Sequence, residues 1–86
     1  MKHTDQVKNY PGSHEELAEN LGDLYYDSLA EFLHQLSTKL EKDGHADKGR
    51  GRSRLATELL ACSQRLQEAA AHIDRAWEIC EPYVKK

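Results

Sequence analysis

The feature that most constrains this chain is a regular spacing of apolar and small side chains in its C-terminal half. The steps between them alternate between four and three residues, which is the heptad pattern of a helix with one buried side. The positions are Leu55, Leu59, Cys62, Leu66, Ala69, Ile73, Ala76 and Cys80. Ala56, Ala70 and Trp77 lie beside them and widen the stripe, which is typical of a helix that contacts more than one neighbour.

The spacing predicts a helix over residues 53–81. Ser53 is the expected N-cap, because its hydroxyl can accept a hydrogen bond from a free backbone N–H of the first turn. Pro82 is the expected end, since proline cannot continue a helix. Two cysteines, Cys62 and Cys80, fall on this helix about 27 Å apart, too far for an intrachain disulfide. Their spacing is that of small core residues, with a symmetric intermolecular disulfide as the alternative.

The N-terminal half predicts a second long helix after a polar tail, residues 1–12, that ends in a Pro-Gly turn signal. Ser13 and Glu16 fit a capping box, in which each side chain satisfies a backbone N–H of the other residue. Leucines and aromatic residues then recur in steps of three and four from Leu17 to Leu40. We predict a helix over about residues 14–43, with Gly22 as its weak point and Gly44 as its stop.

Residues 44–52 contain three glycines and no large apolar side chain, so they predict a basic loop joining the two helices. Folding at this loop pairs residues whose numbers sum to about 96, which places Tyr25 opposite Ala69–Ala71. The fold class is therefore all-α, a long antiparallel hairpin of two helices. Because two helices leave a wide apolar stripe half covered, we expect two hairpins to pair into a dimeric four-helix bundle.

The composition excludes several classes of protein. The chain has 86 residues and a net charge of −3, which gives no overall attraction to nucleic acid or to an anionic membrane. No apolar run approaches the roughly 20 residues of a membrane-spanning helix, and the first residues lack the apolar stretch of a secretion signal. These features predict a cytoplasmic protein without a membrane role.

Charge is segregated along the chain. Residues 13–31 hold six acids and no lysine or arginine, whereas residues 39–54 hold six bases and three acids. Five of the acids recur every four residues, a spacing that aligns them in one row on a helix. They are Glu15, Glu19, Asp23, Asp27 and Glu31. The row has three interpretations: a solvated face, contact with the basic tip of an antiparallel partner, or a carboxylate site for a cation such as Mg²⁺.

The cation interpretation is associated with a local resemblance. Residues 15–19 read E-E-x-x-E, and Asn20-Leu21-Gly22-Asp23-Leu24 resembles the E-L-G-D-L segment of MazG-type nucleotide pyrophosphohydrolases. The resemblance implies Mg²⁺ held by carboxylates for hydrolysis of a nucleotide. In this chain both pieces fall in one helix, and Asn20 stands where the family has a metal-binding glutamate.

The basic tip is the other candidate site. Lys48, Arg50, Arg52 and Arg54 lie among flexible glycines at a helix N-terminus, where free N–H groups attract anions. The interpretations are contact with an anion or partner, nucleic acid included, and a merely solvated loop. Glu31 and His34 match the E-x-x-H spacing of di-iron bundles, but neighbouring Phe32 and Leu33 claim the inward side, so we interpret them as a surface pair.

No nucleophile–base arrangement and no zinc pattern is visible in the sequence. We therefore expect a small non-enzymatic interaction or regulatory protein, acting as a homodimeric helical bundle and without a cofactor. A Mg²⁺-dependent nucleotide hydrolase using the acidic row is the first alternative. Contact with an anion or nucleic acid through the basic tip is the second.

Overall fold

The computed structural model describes residues 3–84, and within this range the chain is helical, without a strand. Helix α1 spans His14–Gly22, α2 spans Tyr26–Gly49 and α3 spans Ser53–Cys80, followed by a 3₁₀ turn at Glu81–Tyr83. α2 and α3 pack against each other, while α1 makes only marginal contact with the long helices. The expected all-α hairpin is confirmed, and a short separate helix precedes it. The first two residues of the predicted N-terminal tail and the last two residues of the chain lie outside the described range.

The contact between α2 and α3 is made by small residues spaced seven apart. We call these six residues the inner seam: Ala30, Ser37 and Gly44 on α2, and Ala56, Ser63 and Ala70 on α3. All six are buried, and residues seven apart lie on the same side of a helix. Small side chains let the two backbones approach closely, so the hairpin is closed mainly by small side chains.

Two hydrogen bonds between hydroxyls and carbonyls lock the middle of the inner seam. Ser37 Oγ donates to the Ser63 carbonyl at 2.9 Å, and Ser63 Oγ donates to the Ser37 carbonyl at 2.8 Å. Nearer the tip, a Cβ added to Gly44 would lie only 2.9 Å from Leu60 Cδ2. The seam therefore tolerates no larger side chain without moving a helix or a leucine.

The register differs from the sequence-based prediction. Opposed residues have numbers that sum to 100, as in the pair Ser37 and Ser63, instead of about 96. Tyr25 accordingly meets Trp77, with ring centroids 6.3 Å apart in an edge-on arrangement, and not the alanines at 69–71. The predicted register was wrong because it assumed a loop that starts at Gly44.

The end of α2 shows why that loop was misplaced. Gly44 does not stop the helix, which continues to Gly49 and leaves only residues 50–52 as the loop. Gly51 has a φ of 79°, and its N–H donates to the Lys48 carbonyl while the Arg52 N–H donates to the Asp47 carbonyl. These two bonds form a Schellman motif, in which the glycine takes the left-handed position. The predicted loop 44–52 is thus mostly helix.

The predicted first helix is interrupted at residues 23–25, directly after its weak point, Gly22. Extending the inner seam by one heptad toward the open end would place Asp23 opposite Trp77. A carboxylate and an indole cannot share a contact sized for alanine and serine, so close pairing cannot continue and the chain turns away. The prediction of one continuous helix over 14–43 was therefore wrong.

The helix ends test two predicted caps. The capping box is confirmed, since the Glu16 N–H donates to Ser13 Oγ at 3.1 Å and the Glu16 carboxylate accepts from the Ser13 N–H. The predicted cap of α3 was wrong by one residue, because Arg52 is the N-cap and its side chain makes no capping bond. α3 ends at Cys80, one residue before the predicted end at 81.

Candidate functional site: the outer face of the hairpin

The large apolar side chains of α2 and α3 lie together on one side of the hairpin. Each residue turns an α-helix by about 100°. A side chain three or six positions after an inner-seam residue therefore points about 60° or 120° to one side of the inner seam, viewed down the helix axis. Because the helices run antiparallel, this rotation brings the apolar stripes of both helices to the same side. We call this side the outer face: Tyr26, Leu29, Leu33, Leu36 and Leu40 of α2, with Leu55, Leu59, Cys62, Leu66, Ala69, Ile73, Ala76 and Cys80 of α3.

The sequence predicts that eight heptad positions of α3 form its contact with the first helix. These eight residues instead form the α3 half of the outer face. The contact itself is shifted by one residue, onto Ala56, Ser63 and Ala70. Cys62, expected to be a small core residue, is exposed, whereas Cys80 is half-buried, and both are free. The prediction of a buried cysteine at position 62 was therefore wrong, while that of no intrachain disulfide agrees with the free thiols.

Much of the outer face is open to solvent. The exposed fraction is 36% for Leu36, 39% for Leu55 and 40% for Tyr26, and Phe32, which borders the face, is 38% exposed. Large apolar residues of a small globular domain are more often buried. Exposed apolar side chains gathered on one side of a chain are typical of interaction sites.

The opposite side of the hairpin is polar. His34 Nε2 lies 3.4 Å from Asp74 Oδ2 and joins the two helices across this side. Further toward the tip, a shallow groove is bordered by polar side chains that include Glu41, Gln64 and Gln67. Leu60 also lines this groove, so among the described residues the two sides differ in that most of the large apolar side chains of α2 and α3 lie on the outer face.

The basic tip is organised around one buried carboxylate. Asp47 has a side chain that is only 4% exposed, and its Oδ1 lies 3.5 Å from Arg50 Nη1 and 3.3 Å from Arg52 Nη1. Its backbone carbonyl also receives the Arg52 N–H that closes the turn. Two of the four predicted contact residues of the tip therefore stabilise the loop, while Lys48 and Arg54 are exposed.

At the tip, the outer face ends in a cavity of about 390 Å³ with an apolar floor and a charged rim. Leu40, Leu55 and Leu59 supply apolar lining, and the basic side chains on the rim are Lys39, Lys42 and Arg50. His3 also lines this cavity, so the N-terminal segment reaches the tip. Asp43 and Asp47 lie among these bases, so the border at the tip end of the apolar surface carries charges of both signs.

The acidic row is not continuous. Glu15 and Glu19 lie on α1, Asp23 is the C-cap of α1, and Asp27 and Glu31 lie at the start of α2. The turn at residues 23–25 separates the two parts, so the carboxylates do not share one helix face as the sequence predicted. Asp23, Asp27 and Glu31 lie toward the open end of the hairpin, and Glu15 and Glu19 lie on α1.

Several carboxylates that a metal site would need have local structural contacts. Glu16 belongs to the capping box, and Glu31 accepts a hydrogen bond from Gln35. Among residues 3–84, no group of three His, Cys, Asp or Glu side chains converges closely enough to hold a metal ion. Glu31 and His34 are both exposed, as expected, but Glu31 contacts Gln35 and His34 contacts Asp74, so each contacts a residue other than its predicted partner.

The sequence analysis missed the inner seam, although a signal for it was present. Small residues recur at intervals of seven in both helices, at 30, 37 and 44 and again at 56, 63 and 70. A heptad position held only by Gly, Ala and Ser indicates close contact between helices. The series of larger residues has the same period and lies one position earlier in the sequence. It therefore concealed the pattern of small residues.

Comparisons with known proteins place the chain in no family. No family model matches it, and neither a curated protein nor a solved structure is significantly similar to it. Within residues 3–84, none of the helices combines the length and the apolar character needed to cross a bilayer.

Proposed function

We propose that this chain is a small, non-enzymatic interaction protein that works as a homodimer, in which the outer faces of two hairpins stack to form a four-helix bundle. The observation that carries the proposal is the placement of the large apolar residues. The hairpin closes mainly on alanine, serine and glycine, while the leucines of α2 and α3, apart from Leu60, lie on the outer face of the same helices. That arrangement suits a chain whose core is completed by a second layer of helices.

The accessible surface of the chain supports this proposal. The chain exposes 6975 Å², whereas a compact monomer of 9.8 kDa exposes about 5,200 Å². The excess is more than twice the roughly 800 Å² that each partner contributes to a standard protein–protein interface. A single copy therefore has ample surface for such an interface.

The proposal also places the protein in the cytoplasm. Cys62 and Cys80 are both free, and Cys62 lies exposed on the surface that would become the dimer interface. Free exposed thiols persist in a reducing compartment. Inside the stacked bundle, Cys62 would be a small apolar residue of the interface.

Sedimentation velocity at micromolar concentration tests the assembly, and we expect a species with twice the mass of the chain. The variant Leu36→Glu places a carboxylate in the middle of the outer face, where stacking would bury it without a partner. We expect it to weaken dimerisation by about 100-fold or more, which corresponds to about 2.7 kcal/mol.

Thr38→Glu is the matched control, because it adds the same charge two residues later on the opposite side of α2. Thr38 is exposed, and its hydroxyl donates only within α2, to the His34 carbonyl. We expect Thr38→Glu to sediment like the unchanged chain, with circular dichroism confirming that both variants stay helical. A well-folded monomer of the unchanged chain at tens of micromolar would contradict the proposal.

A further inference from the structure

The tip end of the outer face is already in contact with the N-terminal segment of the same chain. The tip cavity is lined by His3 and by three leucines of the outer face, Leu40, Leu55 and Leu59. The pKa of Asp43 is lowered mainly by its hydrogen bond with Lys39 and, to a smaller extent, by the charge of His3, which places His3 near the same rim. A second hairpin stacked over the whole outer face would have to take the space that His3 holds.

Residues 3–22 form one unit, which we call the N-terminal arm. Asn20 Nδ2 donates to Tyr10 Oη at 2.7 Å, and the capping box joins the polar segment to α1. His14, the first residue of α1, borders a hollow together with His3. The arm therefore folds back from the turn after α1 toward the tip. The start of α2 and the tip cavity are about 25 Å apart, so the arm reaches along most of the hairpin.

The N-terminal arm is held loosely on the hairpin. Residues 3–9 are all exposed, and Val7, the one large apolar residue among them, is 49% exposed. The hydrogen bonds of this segment stay local, since Thr4 Oγ1 donates to the Gln6 carbonyl and the Tyr10 N–H donates to the Val7 carbonyl. α1 makes only marginal contact with α2 and α3. Displacing the arm therefore costs little buried apolar surface.

The joint between the arm and the hairpin allows such a displacement. Residues 22–24 are exposed, and among the described residues nothing packs within 4 Å of a Cβ added at Gly22. On the hairpin side of the joint, the ring of Tyr25 contacts that of Trp77. Rotation between Gly22 and Tyr25 thus moves the arm while α1 and the hairpin each stay intact.

We propose that the N-terminal arm regulates dimerisation: it occupies the tip end of the outer face in the single chain, and it swings away when a second hairpin stacks on that face. This inference rests on the proposed homodimer and adds its regulation. The arm and the second copy compete because both need the same three leucines. Since a dimer requires two open faces, the fraction of chains with a displaced arm limits the apparent affinity twice.

The second copy is the better cover for these leucines. Leu55 stays 39% exposed although His3 lies in the same cavity. A second outer face brings leucines to this site, whereas the arm brings an imidazole and polar side chains, so burial of apolar area favours the stacked state. The contact of the arm is intramolecular and independent of concentration, while stacking strengthens as the concentration rises. The arm therefore keeps dilute chains apart and yields to a second copy at higher concentration.

Locking the arm to the tip tests this competition in the full chain. His3→Cys and Lys42→Cys place two thiols on one cavity, in a background of Cys62→Ala and Cys80→Ala. Lys42 stands on the rim and is not part of the outer face. A bismaleimide linker with an internal disulfide joins the two thiols at low protein concentration, and reduction then releases the arm in the same sample. Mass spectrometry identifies the chains joined within one copy, and circular dichroism confirms that they stay helical.

The matched control is the same variant with both thiols capped by N-ethylmaleimide, which adds bulk at both positions without joining them. Sedimentation velocity over a concentration series measures dimerisation of all three forms. We expect the joined chain to dimerise more weakly than the reduced chain by about tenfold or more, and the capped chain to behave like the reduced one.

Each other result overturns one of the two proposals. A joined chain that dimerises as well as the reduced chain would overturn regulation by the arm and leave the homodimer intact. Failure of the linker to join the thiols within one chain would do the same, because His3 would then not lie at the tip. Monomers in the joined, reduced and capped forms at tens of micromolar would instead overturn the homodimer itself.

Discussion

The inner seam and the outer face differ more than their positions in the sequence suggest. Leu36 and Ser37 are consecutive, and so are Cys62 and Ser63, yet the serines are buried and their neighbours are exposed. The buried side of each helix carries side chains that contribute little apolar area, and the exposed side carries the leucines. The chain therefore has two distinct surfaces on the same helices. The inner seam has small side chains that fit the facing helix, and the outer face has large apolar side chains that stay partly exposed.

The two surfaces should respond in opposite ways to added volume. The inner seam depends on close approach of two backbones, so any added methylene forces the helices apart. The outer face has open space above it, so added volume there extends an apolar surface. An added polar group should have the reverse effect, since the inner seam already holds two serine hydroxyls and the outer face holds no hydroxyl except that of Tyr26.

The largest expected effect comes from Ser63→Leu. The substitution removes the bond from Ser63 Oγ to the Ser37 carbonyl and inserts a large side chain where the helices touch, so we expect a loss of about 3 kcal/mol in the free energy of unfolding. The melting temperature should fall by more than roughly 10 °C. Thermal denaturation followed by circular dichroism at fixed protein concentration measures it.

The adjacent variant Cys62→Leu is the control, because it adds similar volume on the outer face. We expect its melting temperature to be unchanged or higher. Equal losses for the two variants would show that the inner seam and the outer face are not distinct surfaces.

A smaller effect is expected from the hydroxyl pair. Ser37→Ala removes the bond from Ser37 Oγ to the Ser63 carbonyl, and a buried hydrogen bond of this kind contributes about 1 kcal/mol. A double-mutant cycle with Ser63→Ala should show coupling, so that the double variant loses less than the sum of the two single losses. Chemical denaturation with urea measures all four stabilities.

Thr38→Ala is the matched control for the hydroxyl pair. The hydroxyl of Thr38 bonds within its own helix and is exposed, so its removal should change stability by less than about 0.5 kcal/mol. A loss as large as that of Ser37→Ala would indicate that the contact between the helices is not what the hydroxyl stabilises.

The comparison also explains how much of the fold the sequence predicts. The start of α3 at residue 53 and its end next to Pro82 agree with the prediction to within one residue, because proline acts locally. The Ser13–Glu16 capping box is likewise local and is confirmed. The break at residues 23–25 depends on what Asp23 would meet across the seam, which no local pattern shows.

The apolar residues of α3 on the outer face were predicted as one stripe, but as the contact inside the hairpin and not as a candidate site. The heptad residues from Leu55 to Cys80 do share one side of α3. Their spacing of three and four residues is the same for a stripe that faces the other helix of the hairpin and for one that faces a second molecule. Gly44 shows the same limit, since a glycine that ends a helix and a glycine that admits a neighbouring helix look alike in the sequence. Distinguishing them requires knowing which residue lies opposite, here Leu60.

The smallest expected effect lies at the rim of the outer face, where Lys39 Nζ donates to Asp43 Oδ1 at 2.8 Å and to Oδ2 at 2.9 Å. These bonds hold the pKa of the Asp43 carboxyl below its ordinary value of 3.8, against a smaller opposing effect of desolvation. Because this pKa is lowered in the folded chain, the carboxylate contributes stability above pH 3.8 that is lost as the pH falls through the folded-state pKa.

Lys39→Met keeps most of the side-chain length and removes the charge, so the pKa of Asp43 should rise and the chain should lose less stability on acidification. Carbon-detected NMR titration of the Asp43 carboxyl measures the pKa directly. Lys42→Met is the matched control, because Lys42 acts on Asp43 only through a weaker Coulomb interaction and should raise the pKa less. Equal shifts would show that the overall positive charge of the tip lowers the pKa of Asp43, and not its hydrogen bonds with Lys39.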